Sequence, residues 1–148
     1  MSLFDLFRRR VVIGPAEFAT PAGWKEVRRQ ANEYVILRSK DGRQQVTVSV
    51  AFFSQGSSFD DFRKLCDLRI EAEGKELGKD FIKPSEPFQN NASSGMFFYG
   101  AQDTGRGFSG YLSLVSGNLI TIYLEGTGVA VKRHTGAWSI LAGSLRRV

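Results

Sequence analysis

The chain has 148 residues, 42% of them hydrophobic and 24% charged, which fits one globular domain with a core of ordinary size. A net charge of +5 and a pI of about 9.6 favour acidic partners, whether nucleic acid, an anionic membrane or an acidic protein. The lone cysteine, Cys66, excludes an intramolecular disulfide, and no run approaches the roughly 20 apolar residues of a membrane-spanning helix.

Residues 1–13 read as a basic, amphipathic arm and 14–148 as a single domain. Leu3, Phe4, Leu6 and Phe7 precede Arg8, Arg9 and Arg10, which is not the order of a signal peptide, so a cytoplasmic protein is expected. The arm is expected to fray or to pack on the domain's own edge; a turn that touches a membrane surface or a partner is the other reading. Arg8-Arg9-Arg10 is the one compact basic run. Arg28-Arg29, Arg63-Lys64, Lys132-Arg133 and Arg146-Arg147 lie far apart.

Phe18 to Trp24 carries Pro21-Ala22-Gly23, a sharp turn because Pro presets φ and Gly permits positive φ. Trp24 then opens the next strand and packs on the domain. Tyr34 to Arg38 reads as a strand, and Asp41-Gly42 as the hairpin into Gln45 to Phe53. In that last strand Val46, Val48, Val50 and Phe52 alternate with Gln45, Thr47, Ser49 and Ala51, so one face is buried and the other is small, polar and lightly covered.

A helix follows. Ser58 and Asp61 resemble a capping box, and Phe59, Phe62, Leu65, Cys66 and Ile70 form its inward stripe. Arg63, Lys64, Asp67 and Glu71 face water, and Gly74 ends the helix. Short edge strands are expected around 80–83 and 86–89, where Pro84 and Pro87 suit an edge. The strongest strands are Met96 to Ala101, Ser109 to Ser116 and Leu119 to Glu125, the last two joined at Gly117-Asn118. Leu119 to Glu125 is apolar on both faces and therefore central. Gly126-Thr127-Gly128 reads as a loop. Trp138, Leu141 and Leu145 then recur at helical spacing, with Arg146-Arg147 suited to a helix C-terminus. This order predicts an α+β domain, a mostly antiparallel sheet sandwiched between helices.

The layout resembles the PsbP-like α/β/α sandwich, the fold of a photosystem extrinsic subunit and of the Ran-binding Mog protein, with bacterial relatives that include Eag-type adaptor chaperones of type VI secretion. The residues that carry the resemblance are Phe18 with Pro21-Ala22-Gly23-Trp24, the helix from Phe59 to Ile70, the hairpin from Gly110 to Gly126, and Trp138 to Leu145. They cover about residues 17–146 and are core and turn positions. The resemblance implies a non-enzymatic interaction domain that binds other proteins. The chain departs from secreted members, which carry a signal or transit sequence, and from the Eag-type pattern in being basic, with the extension at 4–10.

Catalytic signatures are weak. Cys66 falls on the inward stripe, whereas a reactive thiol needs an exposed, electropositive setting. His134 is the only histidine and stands beside Lys132 and Arg133 as a surface residue. One His and one Cys do not make a usual zinc site. Asp60-Asp61 point apart on a helix and act as caps. Gly126-Thr127-Gly128 lacks the third glycine of a dinucleotide loop, since Val131 stands there. Arg106-Gly107-Phe108 begins like the strand motif of RNA-recognition domains, but Ser109-Gly110 break it.

The expected function is therefore a non-enzymatic protein-binding module, a bacterial secretion-associated adaptor, chaperone or immunity-like factor, with no cofactor and no metal. Its expected binding residues are the strand aromatics Phe97, Tyr99, Phe108, Tyr111 and Tyr123 with Arg106, because six aromatics counting Phe98 do not fit on one buried face and exposed aromatics beside arginine anchor interfaces. Arg8, Arg9 and Arg10 complete the set. The alternative is an anionic-surface binder, for nucleic acid or membrane, using the arm. A homodimer through an exposed sheet is a further option.

Overall fold

The structure is a computed structural model. It describes residues 9–52, 82–101, 106–127 and 136–148, together with Lys64, Asp67, Leu68, Glu71 and Ala72; of 82–86, 101, 106, 127 and 136 it describes the backbone alone. Ten strands and one C-terminal helix are defined among the described residues. They are β1 (Arg10–Ile13), β2 (Ala16–Ala19), β3 (Lys25–Gln30), β4 (Tyr34–Arg38), β5 (Gln44–Phe52), β6 (Ile82–Gln89), β7 (Ser94–Ala101), β8 (Arg106–Val115), β9 (Asn118–Thr127), α1 (Gly136–Gly143) and β10 (Arg146–Arg147).

Seven strands form one antiparallel sheet in the order β3-β4-β5-β9-β8-β7-β6. β9 is fourth of the seven, as expected of a central strand. Ile120, Ile122 and Leu124 on its inner face are buried, whereas Thr121, Tyr123 and Glu125 on its outer face are only half-buried, so the expectation of two apolar faces holds for one. Asp41-Gly42 makes the β4–β5 hairpin. Gly42 takes φ +73°, and the Asp41 carboxylate accepts from the Arg43 N–H at 3.0 Å and the Ser39 hydroxyl at 2.7 Å.

The strand period of two sorts each strand onto two faces. Val35, Leu37, Val46, Val48, Ile120, Ile122, Leu124, Phe97 and Tyr111 share the inner face and are buried. Against it pack α1 and a second, three-stranded sheet in the order β1-β2-β10, which contribute Val11, Ile13, Phe18, Trp138 and Leu141 to the same cluster, joined by Leu145 from the connection between α1 and β10. Trp138 stands edge-on to Phe88 and Phe97, with ring centroids 4.8 and 4.5 Å away. Trp24 packs against the rim of this core, which is where its entry turn directs it.

Asn90 fixes the end of α1. Its amide nitrogen donates to the Ala142 and Leu145 carbonyls at 2.8 and 3.0 Å, supplying donors that the helix end lacks. Its side-chain oxygen accepts from the N–H groups of Ala92 and Ser93. Ser144 accepts from the Ala19 N–H at 2.7 Å, tying the helix end to β2.

Five sequence expectations change. Phe52, expected on the buried face of β5, is 80% exposed at the end of that strand. Arg10–Ile13 belong to the fold, because Val11 and Ile13 are buried under the sheet, so the arm does not extend to residue 13. Arg146–Arg147 pair with β2 as a strand instead of finishing the helix. The two short edge strands are one, β6, interrupted between Lys83 and Glu86. Gly126 and Thr127 continue β9 and do not form a loop. The expected helix stripe of Phe59, Phe62, Leu65, Cys66 and Ile70 lies outside the described residues, as does His134. Lys64, Asp67 and Glu71 are helical and exposed.

Candidate functional site

The strand aromatics go mostly inward. Phe97 and Tyr111 face each other across β7 and β8 on the inner face and are fully buried. The Tyr111 hydroxyl meets the Ser93 hydroxyl at 2.9 Å, and burial pushes its pKa up. Phe108 lies on the opposite, outer face and is equally buried. The expectation of exposed anchors is therefore corrected for these three: two faces absorb what one could not. Tyr99 and Tyr123 are half-buried, stacked on Phe97 at 5.3 Å and on Phe108 at 5.7 Å. Of Arg106 only its backbone, at the head of β8, is described. The RNA-like reading also weakens, since Phe108 and Tyr111 are three residues apart on a strand and so face opposite ways.

The arginine run is split. Arg8 lies outside the described residues, and Arg9 is exposed. Arg10 is engaged within the fold: its Nε lies 3.3 Å from Glu17 Oε1 and its Nη2 donates to the Ser144 carbonyl at 3.1 Å. Arg146 binds the same Glu17 oxygen. The Arg146 guanidinium, with Arg10 behind it, holds the Glu17 carboxyl below its ordinary pKa.

The feature that stands out is the outer face of the seven-stranded sheet. Strand register aligns its side chains in cross-strand rows. One row runs Arg28, Ile36, Thr47, Tyr123, Gly110, Phe98. The row on one side runs Lys25, Arg38, Gln45, Glu125, Phe108, and on the other Gln30, Tyr34, Ser49, Thr121, Leu112, Met96. Every row starts exposed and polar on β3 and ends buried and apolar on β7 or β8. Phe98, Phe108, Leu112 and Met96 are each at most 2% exposed. Lys25, Arg28, Gln30 and Arg38 are exposed, and Tyr34, Ile36, Gln45, Thr47 and Ser49 are half-exposed.

The open half is basic. Lys25, Arg28 and Arg38 lie on it, and the first carboxylate met along its rows is Glu125 on β9. Glu26 belongs to the inner face, where it holds Arg29 at 2.7 Å. The Arg28 guanidinium sits 5.8 Å from the Tyr34 ring centroid, a cation–π arrangement on a solvent-facing ring. Arg38 donates to Gln45 at 3.0 Å, and Gln45 to Glu125 at 3.4 Å, which holds both long side chains flat on the sheet.

The surface offers cations, amide and hydroxyl groups and a half-exposed ring. Among the described residues no three His, Cys, Asp or Glu side chains come together as metal ligands. Sequence reasoning missed Arg28, Tyr34, Ile36 and Arg38 as site residues. The signal available was the small, polar alternate face of β5; the Asp41-Gly42 hairpin then registers Arg38 beside Gln45.

Fold and surface together define an α+β sandwich that presents one half of a sheet face to solvent. No family model and no curated protein matches the sequence. Solved structures do. Cyanobacterial PsbP (CyanoP) from Synechocystis sp. PCC 6803 is similar at 13% identity and a TM-score of 0.63, over 95% of this chain and 92% of that one. The Ran-binding protein Mog1p of Saccharomyces cerevisiae is similar at 10% identity and a TM-score of 0.51, over 81% and 78%. A mutant of the protein Mog1 gives 10% identity and a TM-score of 0.54, over 83% and 79%. The chain thus has the PsbP/Mog1-like fold.

Proposed function

We propose that this chain is a non-enzymatic protein-binding module, an adaptor, chaperone or immunity-like factor of bacterial secretion, and that it binds through the open half of the outer sheet face. The observation that carries the surface assignment is the gradient along the rows. One half of a continuous sheet face buries Phe98 and Phe108, while the other leaves Arg28 and Arg38 exposed and Tyr34 and Ile36 half-buried. An arginine beside a ring on a flat, partly apolar surface is the composition of an interface anchor. The similar fold described as a Ran-binding protein supports the use of this scaffold for binding a protein. The secretion role rests on the sequence resemblance to Eag-type chaperones alone.

The test is co-purification from the native cell with the wild-type chain and with an Arg28→Glu/Arg38→Glu variant. A specific protein, encoded beside a secretion system, is expected with the first and not with the second. Recovery of no protein, together with turnover of a substrate by the purified domain, would sink the proposal.

The basic charge of the same surface favours a second reading, an anionic surface such as nucleic acid or membrane. It predicts steep weakening with salt. The absence of salt-sensitive binding to both duplex DNA and anionic vesicles would exclude it.

A further inference from the structure

The open half-face ends at β3, and that edge is unusual. Among the described residues β3 pairs with β4 alone, so the backbone donors and acceptors of its other side are unused by the sheet. The opposite edge, β6, contains Pro84 and Pro87, which remove donors from any added ladder. β3 has no proline. Its guards are a bulge at Val27 and its charges, Lys25, Arg28 and Arg29 against Glu26.

A charge guard is conditional where a proline guard is not. Glu26 and Arg29 already neutralise each other across the inner face, which leaves Lys25 and Arg28 on the outer face. A second copy of this chain laid edge to edge would bring those cations against their own kind, which destabilises a ladder. A strand carrying carboxylates at alternate positions meets no such barrier. It would add its backbone to β3 and set its acids on the outer face beside Lys25 and Arg28.

We propose that β3 is the docking edge for an extended acidic segment of a partner protein, which joins the sheet as an additional strand. This rests on the reading of the open half-face as the binding surface, and it adds the mode of binding and the chemistry of the partner.

The test uses the full chain and two synthetic peptides of equal charge. One alternates Glu with Val; the other alternates Glu with Pro and cannot form a ladder. At low salt the Glu-Val peptide is expected to bind, to slow amide hydrogen exchange across residues 25–30, and to bind at least about tenfold more tightly than the Glu-Pro peptide. Arg28→Glu, checked by its melting curve, is expected to weaken it by about tenfold. Equal binding of the two peptides, or binding without protection of β3, overturns edge addition and leaves the half-face reading standing. Failure of both peptides to bind overturns the acidic-segment proposal. Undiminished binding to Arg28→Glu overturns the assignment of charge. Phosphatidylglycerol vesicles or duplex DNA that bind through Arg28 when neither peptide does would overturn both readings in favour of an anionic surface.

Discussion

Phe98 and Arg28 stand in one cross-strand row on one face of one sheet, yet the first is fully buried and the second is exposed. The backbone ladder that links them is continuous. What differs is the side chains and what lies over them. On the β7–β8 side the rings fill space that glycine leaves: a Cβ on Gly110 would meet the Phe98 ring at 2.3 Å. On the β3–β4 side Arg28 lies near a ring that still faces water. Buried apolar side chains are concentrated in the first half, and exposed polar ones in the second.

The largest effect should come from the buried half. Phe98→Ala is expected to cost about 3–5 kcal/mol of unfolding free energy by chemical denaturation. A smaller loss there would mean the buried half is not the better packed one. Gly110→Val tests the same row from the other side. It should cost about 1–3 kcal/mol by forcing the Phe98 ring to move.

Asn90→Ala should cost about 1–3 kcal/mol, because it strips donors from the Ala142 and Leu145 carbonyls where the chain leaves α1. Amide exchange at the C-terminal residues should speed up before that of β9.

Glu17→Gln sharpens the contrast between charge that is committed and charge that is free. Glu17 is held below its ordinary pKa when folded, so its contribution is present above the unfolded value and is lost as pH falls through the folded one. Denaturation at neutral and acid pH should show the wild type losing more stability on acidification than the variant. Last and smallest, Arg28→Ala and Arg38→Ala should shift stability by no more than about 0.5 kcal/mol. A large loss from either would break the comparison, since the open half would then be structural.

Much of the fold was legible because it is local. The valine alternation of β5, the Asp41-Gly42 hairpin, the β8–β9 hairpin (expected at Gly117-Asn118 and turning one residue earlier, at Ser116-Gly117) and the Trp138, Leu141 and Leu145 spacing each depend on neighbours in sequence. The small strands β1, β2 and β10 were not legible. Four residues or two carry too little period, and β10 pairs with β2 across 129 residues of chain, as Arg146 with Glu17. The candidate site was legible only in part. Thr47 and Ser49 lie on the face that alternation marks as lightly covered, whereas Phe97, Phe108 and Tyr111, expected among the binding residues, are buried.

From the sequence by itself came an antiparallel α+β sandwich, a two-faced β5 and a central β9, because alternation shows that side chains divide between two sides of a strand. Alternation does not reveal whether a second layer covers the second side. Only the tertiary structure decided that Phe97 and Tyr111 are buried on one face of β7 and β8 and Phe98 and Phe108 on the other, that Arg10 is committed to Glu17, and that Arg28 and Arg38 remain exposed beside a half-buried Tyr34. Coverage is set by elements distant in the chain, and no local pattern encodes it.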